Sequence, residues 1–256
     1  MIGAIAGDMI GSPYERYPIK HTDFDLRVSA FTDDTVLTIA IAYCILNQAE
    51  VAPSLKKFAE KYHNLPYGAG FRNWVRSWES RPYNSFGNGS AMRVSPVGYA
   101  YDSIDDVLHQ AKRTAEATHN HPEGIKGARA TALAIYLAKT GESKDTIRKE
   151  ISDRFSYDLN RTVDGIRPNY SFDITCQGSV PESIVAFLDS HSWEDAVRKS
   201  ISLGGDADTM ACITGGIAQA YYKKIPKNVA EDVRNKLPSD LRAVLDTFNK
   251  KYKCAF

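Results

Sequence analysis

Three scarcities narrow what this chain can be. The first is charge of one sign: 32 basic and 31 acidic side chains leave a formal net charge of +1. A general polyanion binder carries a basic excess or stripe, and neither is present. A phosphate recognised here is therefore held by local groups, not by a broad field. Cysteine is the second. Cys44, Cys176, Cys212 and Cys254 are scattered without a C-x-x-C pair, which argues against a zinc ribbon or a disulfide framework and for isolated thiols in a reducing compartment. The third is a long apolar run: Val36 to Leu46 is too short to cross a bilayer. The opening MIGAIAGDMIGS has no basic start, and Asp8 interrupts its apolar stretch, so it makes a poor signal peptide. A cytoplasmic protein with no membrane partner is expected.

What the chain has is helical patterning in an ordinary globular composition, 43% hydrophobic and 25% charged over 256 residues. Leu55, Phe58, Ala59 and Tyr62 recur at i, i+3, i+4, i+7, and Val107, Leu108, Ala111 and Ala115 repeat the stripe. Leu237, Leu241, Leu245 and Phe248 form another, with Pro238-Ser239-Asp240 as its helix start. Gly127 to Ala138 and Ala211 to Tyr222 are rich in small residues, which suits central helices that approach closely. The stretch Tyr157 to Gln177 has no firm period and reads as irregular, while Ser12-Pro13 and the residues up to Glu15 read as a loop. No linker tract or solenoid period divides the chain. The expectation is one all-α domain over residues 1–256, a compact orthogonal helical bundle.

Two distant segments look alike. Phe31-Thr32-Asp33-Asp34-Thr35 precedes the apolar helix VLTIAIAYCIL, and Gly204-Gly205-Asp206-Ala207-Asp208-Thr209 precedes MACITGGIAQAYY. Capping is the plain explanation, since Asp and Thr suit N-caps and first turns. It does not account for the surplus of acids. One side chain suffices for a cap, and a second acid adds repulsion unless a cation intervenes. Carboxylates and hydroxyls are the ligands that magnesium and manganese prefer, whereas zinc usually brings cysteine or histidine. If the four aspartates converge, their charge of about four negative suits two divalent ions.

At these residues the sequence resembles the ADP-ribosylglycohydrolase family. The matching blocks are Gly3-Ala4-Ile5-Ala6-Gly7-Asp8-Met9-Ile10-Gly11-Ser12 with Glu15, then Phe31 to Thr35, Gly87-Asn88-Gly89-Ser90-Ala91-Met92-Arg93, and Gly204 to Thr209, with a weaker match at Thr118-His119. The resemblance implies an all-helical fold with a binuclear cleft for two Mg2+ or Mn2+ ions. Thr32, Asp33, Asp34, Asp206, Asp208 and Thr209 would be the metal ligands. Glu15 matches an acid that moves between metal and substrate roles in some members. The Gly87–Met92 loop (Gly87, Asn88, Gly89, Ser90 and Met92) would face the phosphates and distal ribose, and His119 the adenosine side. The implied reaction is hydrolysis at C1″ of the distal ribose, releasing ADP-ribose from a protein or small-molecule acceptor. Nucleic acid would enter only as a modified substrate, and a monomer is expected.

Each assignment stands beside a plainer reading. The glycine loop can expose successive N–H groups to a diphosphate, or can be a tight turn. His119 and His121 can be a polar helix start, and Asp8 a second acceptor behind the metals or a turn residue. It is left out of the ligand set. Among Tyr67, Phe71, Tyr83 and Phe86 the sequence does not choose an adenine-stacking partner. For catalysis, Glu15 is the first candidate acid–base, followed by Asp33 or Asp34. The rivals are a binuclear metal phosphohydrolase acting on a nucleotide diphosphate, a non-catalytic ADP-ribose reader, and a helical scaffold whose acids only cap helices.

Overall fold

The computed structural model describes residues 1–254. Within them the regular structure is helical, and a lone antiparallel bridge between Gly87 and Thr175 is the only strand-like pairing. The first half contains α1 (Ile2–Arg16), α2 (Asp33–Asn47), α3 (Val51–Lys61), α4 (Ala69–Arg76), α5 (Gly89–Met92), α6 (Ser95–Ala100) and α7 (Ile104–Glu116). The second half contains α8 (Pro122–Thr140), α9 (Lys144–Phe155), α10 (Val163–Ile166), α11 (Cys176–Leu188), α12 (Trp193–Ile201), α13 (Ala207–Tyr222), α14 (Lys227–Lys236) and α15 (Ser239–Lys251).

The sequence patterns sort these helices into shells. On α3 and α7 the expected stripes face inward, with Leu55, Phe58, Ala59, Val107, Leu108, Ala111 and Ala115 buried and Tyr62 partly so. Helix α15 starts at Ser239 as its sequence suggests, and Leu241, Leu245 and Phe248 are buried along it. The small-residue segments lie at the centre: α13 is buried from Ala207 through Ala220, and α8 from Gly127 through Ala138 over most of its length. One hydrophobic cluster takes side chains from both halves of the chain.

The closest contact is between α1 and α13. A Cβ on Gly3 would lie 2.6 Å from the carbonyl oxygen of Gly215, one on Gly7 2.0 Å from that of Ala211, and one on Gly11 2.4 Å from that of Ala207. Steps of four up α1 match steps of four down α13, so the two helices run antiparallel with their backbones touching. Only glycine permits that approach. The N–H of Gly3, with no partner inside its helix, donates to Gln219 Oε1 at 2.8 Å.

One segment differs from expectation. Residues Ser12 to Glu15 are the last turns of α1, not a loop. Pro13 has no N–H to give the carbonyl of Met9 four residues back. That carbonyl accepts instead from the N–H of Ser29 at 2.8 Å, with the Ser12 hydroxyl also near, at 3.4 Å. A bond from outside thus replaces the one the proline removes. The stretch Tyr157 to Gln177 is irregular as expected, apart from the turn α10, capped by the Thr162 hydroxyl, and the start of α11.

The α1–α13 contact can be tested with one methyl group. Gly7→Ala should lower the unfolding free energy by about 3 kcal/mol or more, since an overpacked backbone contact has no flexible neighbour to yield. Gly68→Ala, with nothing within 4 Å of the added carbon, should stay within about 0.5 kcal/mol. Urea denaturation of both variants makes the comparison, and equal stabilities would refute the contact.

Candidate active site

The start of α2 is capped twice over before its acids are counted. Thr32 Oγ1 accepts from the N–H of Asp34 at 3.3 Å. Asp8, reaching across from the buried middle of α1, accepts from the N–H groups of Thr32 (3.0 Å) and Thr35 (3.2 Å). It also takes the hydroxyl protons of Thr32, at 2.7 Å, and of Thr35. Asp8 is therefore an acceptor inside a helix, not a turn residue. Neither Asp33 nor Asp34 is needed to cap this helix.

Helix α13 begins after Gly204, whose φ of 68° turns the chain out of α12. Asp206 stands at its N-cap position but makes no side-chain cap bond. Its Oδ2 accepts instead from Asn88 Nδ2 at 2.7 Å, which ties the glycine loop to the second acidic motif. Thr209 Oγ1 donates to Asp34 Oδ2 at 3.3 Å and joins the two motifs directly. Sequence spacing left their convergence open, and the fold supplies it.

The result is a concentration of carboxylates. Oxygens of Asp8, Asp34 and Asp208 lie within 4.8 Å of one another, as do those of Glu15, Asp206 and Asp208. No ion pair reaches these residues or Asp33 among the described residues. Burial, followed by the charge of Asp208, pushes the carboxyls of Asp8 and Asp33 up to about 7. The same causes, in the same order, hold Asp34 and Asp206 well above the usual carboxylate range and raise Glu15. Asp34 Oδ1 is buried without a hydrogen-bond partner, a position that costs free energy unless something positive meets it. Oxygen donors in excess, with neither histidine nor cysteine in either group, fit a hard divalent cation better than zinc.

These acids form one wall of a cleft of about 510 Å³, within the range for small-molecule sites. Glu15, Asp33, Asp34, Gly87, Asn88, Gly89, Met92, His119, Asp206, Asp208 and Thr209 all line it. Two other candidates do not. Thr32 is buried and spends its proton on Asp8. Ser90 is fully buried and donates to the carbonyl of Gly124 at 2.7 Å, so its hydroxyl ties the loop to α8. The loop is also fixed by Asn88 N–H to the Ile174 carbonyl, at 2.8 Å, and by Cys176 N–H to that of Phe86, at 2.9 Å. His121 caps α8, its Nδ1 accepting from the N–H of Glu123 at 3.1 Å, whereas His119 is buried with its ring against Gly87 and Gly89.

Of the four aromatic candidates, Phe71 and Tyr83 line the cleft. Tyr67 is buried and stacks on Phe71 with centroids 5.5 Å apart, and Phe86 lies partly exposed against the His121 ring. Sequence reasoning missed Leu37, Pro66, Gly68, Ala69, Gly70, Ser85, Arg93 and Ile174, all in the lining. The turn-rich stretch Pro66 to Gly70 carried a loop signal that could have suggested a wall. Ile174 had none, because only its pairing with the glycine loop brings it there.

A helical fold with an acid-walled, nucleotide-sized cleft defines a class, and the comparisons name it. The family model for ADP-ribosylglycohydrolase matches residues 1–254, and the chain belongs to that family of glycohydrolases. Human ADP-ribosylhydrolase ARH3 is 28% identical over 87% of this chain and 84% of its own length. A putative ADP-ribosyl glycohydrolase of Acanthamoeba polyphaga mimivirus is 26% identical over 92% of this chain and 89% of its own. A solved structure titled ADP-ribosylglycohydrolase-related protein complex has a similar fold, with a TM-score of 0.74, 22% identity, and coverage of 98% of this chain and 97% of that one.

The crowding of acids makes a pH prediction. Groups whose folded pKa lies above the unfolded value bind more protons in the native state, so the stability they contribute at low pH is lost as pH rises. For Asp8 and Asp33 the window runs from about 4, near the ordinary value, to about 7. Thermal unfolding of chelated protein should show falling stability across it, and added Mg2+ or Mn2+ should stabilise more at pH 8 than at pH 5. A metal effect that is flat or reversed with pH would contradict the uncompensated cluster.

Proposed function

We propose that this chain is a Mg2+- or Mn2+-dependent hydrolase that removes ADP-ribose from a modified acceptor by cleaving the glycosidic bond at C1″ of the distal ribose. The observation that carries the proposal is the meeting of two acid groups, Asp8 with Asp34 and Glu15 with Asp206, at the shared Asp208, with a buried Asp34 oxygen left unpartnered. Relatives named as ADP-ribosylhydrolases, matching along most of their length, support the substrate class.

In this reading Asp33, Asp34, Asp206, Asp208 and Thr209 would hold two divalent cations, and Thr32 would join them only through the lone pair that its oxygen keeps after bonding Asp8 and the N–H of Asp34. Asp8 steadies the set by holding the α2 start, and it is added as a candidate ligand through its place in one of the two acid groups. Positive charge held there would orient the ribose hydroxyls and lower the pKa of a water beside them. The protein's own share follows from its side chains. Glu15, half-buried at the end of α1 and beside Asp206 and Asp208, accepts the proton of the attacking water. Asp33, facing the cleft, stabilises positive charge at the anomeric carbon in an oxocarbenium-like transition state. Gly87, Asn88, Gly89, Ser90 and Met92 form the loop against the phosphates, Ser90 through its backbone, and Phe71 or Tyr83 offers a face for adenine. Glu15 sits on a helix, so its freedom is that of a side chain in a last turn, not of a loop. Buried thiols and the absence, among the described residues, of a helix long and apolar enough to cross a membrane support the cytoplasmic assignment.

The deciding experiment incubates defined ADP-ribosylated peptides and small molecules with chelated and with Mg2+- or Mn2+-loaded protein, and identifies products by mass spectrometry. Free ADP-ribose in the loaded reactions is expected. AMP, with the ribose phosphate left on the acceptor, would establish the phosphohydrolase, and turnover in chelated protein would remove the metals from the mechanism.

Substitution separates ligands from the acid–base group. Asp34→Asn and Asp206→Asn keep size while removing charge, so activity should fall by orders of magnitude while the metal-free protein keeps or gains stability. Glu15→Gln should slow single-turnover cleavage by about a hundredfold or more, with ADP-ribose affinity largely kept. Affinity lost as completely as in Asp33→Asn would make Glu15 an ordinary ligand.

A further inference from the structure

The cleft lining also includes a buried cation with no carboxylate in an ion pair with it. Arg93, at the end of α5, is fully buried, and no ion pair reaches it among the described residues. Its Nη2 donates to the Thr114 carbonyl at 3.0 Å, where a cation suits the C-terminal end of α7. The same nitrogen donates to Thr118 Oγ1 at 2.8 Å, while Nε and Nη1 are buried without partners. Thr118 is itself fully buried, and its Oγ1 lies 2.7 Å from His119 Nδ1.

This chain of contacts has one consistent proton arrangement. A guanidinium only donates, so the Thr118 oxygen accepts from Arg93. The Thr118 proton then needs an acceptor, and His119 Nδ1 is the one within reach. A proton on Nδ1 would leave two donors facing one oxygen and a buried hydroxyl proton without a partner. Nδ1 is therefore bare, and in the neutral ring the proton sits on Nε2. That nitrogen faces the glycine loop: a Cβ on Gly89 would lie 3.2 Å from it and one on Gly87 3.6 Å.

We propose that Arg93 and Thr118 are positioning residues that lock His119 as a neutral Nε2–H donor, aimed across the glycine loop at a phosphate oxygen of the nucleotide. Charge on the imidazole is opposed from the surroundings as well. Burial first, then the nearby Arg93 guanidinium, hold its pKa well below the usual histidine value. Tyr83 also faces the ring, with centroids 6.1 Å apart, and it carries no charge near neutrality. The donor thus keeps its proton across physiological pH. The unneutralised Arg93 charge behind it makes this part of the lining favour an anion, in contrast to the acids that line the same cleft. Glycine at 87 and 89 leaves the ring its place. The tautomer belongs to the free protein, and only the identity of the acceptor rests on the proposed function.

Nitrogen-15 NMR of histidine-labelled protein, with the His119 signals assigned through His119→Gln, reads the lock directly. A protonated Nε2 and bare Nδ1 are expected both at neutral pH and near pH 5.5 in the wild type. A proton on Nδ1, or an imidazolium at the lower pH, would overturn the lock whatever the cleft binds. Calorimetry then tests its use, with metal present. Thr118→Val should weaken ADP-ribose and ADP alike by about tenfold, the worth of one well-placed hydrogen bond to an anion, and Thr118→Ser should restore both. Unchanged affinity in Thr118→Val would remove the positioning role, and an equal loss with adenosine would move the donor from phosphate to nucleoside. If Thr118→Val does not fold, the wild-type tautomer and the Thr118→Ser affinities still decide. Failure of ADP-ribose and ADP to bind wild-type protein at all would instead overturn the proposed function and leave the tautomer standing.

Discussion

Backbone contact between α1 and α13 is the constraint on which the site depends. Gly3, Gly7 and Gly11 meet Gly215, Ala211 and Ala207 in antiparallel order. One end of this seam is anchored by Gln219 on the N–H of Gly3. The other end delivers Glu15 to the start of α13, where Asp206 and Asp208 stand. Asp8, between two of the contact glycines, faces the start of α2 and holds Thr32 and Thr35. A single packed pair of helices thereby sets the positions of acids from three separate stretches of chain.

The fold spends stability to do this. Buried carboxylates without counter-charges raise one another's pKa and favour protonation or a cation. Asp34 and Asp206 are held well above the usual carboxylate range in this way, and each is oriented by a polar neighbour, Thr209 or Asn88. Those neighbours orient oxygens without neutralising them. Elsewhere in the cleft lining the pattern reverses. Arg93 is a buried positive charge lacking an acid, and it stiffens the Thr118–His119 pair. A ligand that is anionic at its phosphates and coordinated at its ribose would meet both parts of the lining in the sign each lacks.

Much of this could be read before the fold was known. The stripes on α3, α7 and α15 face the core as their spacing requires, and the small-residue segments are central. The acid surplus at two helix starts pointed to metal chemistry because one cap needs one acceptor. Other features were hidden for identifiable reasons. Pro13 looked like a helix breaker, yet Ser29 supplies the bond that the proline removes, from sixteen residues further on. Ser90 belongs to a loop suited to phosphates, but its hydroxyl faces α8. Phe71 and Tyr83 could not be distinguished from Tyr67 and Phe86 by type, because all four are aromatic and only their facing separates them.

The sequence by itself determined the helical class, the inward faces, and the residue types that can hold a hard cation, since these depend on local period and on the chemistry of single side chains. Tertiary structure alone decided that the two acidic motifs meet, that Asp8 serves the α2 start, and that Glu15 arrives on a rigid helix. It also decided that Arg93 reaches His119 through Thr118. Each of these is a contact between residues far apart in the chain. Such contacts depend on how closely two backbones approach, and no local pattern of residues specifies that distance.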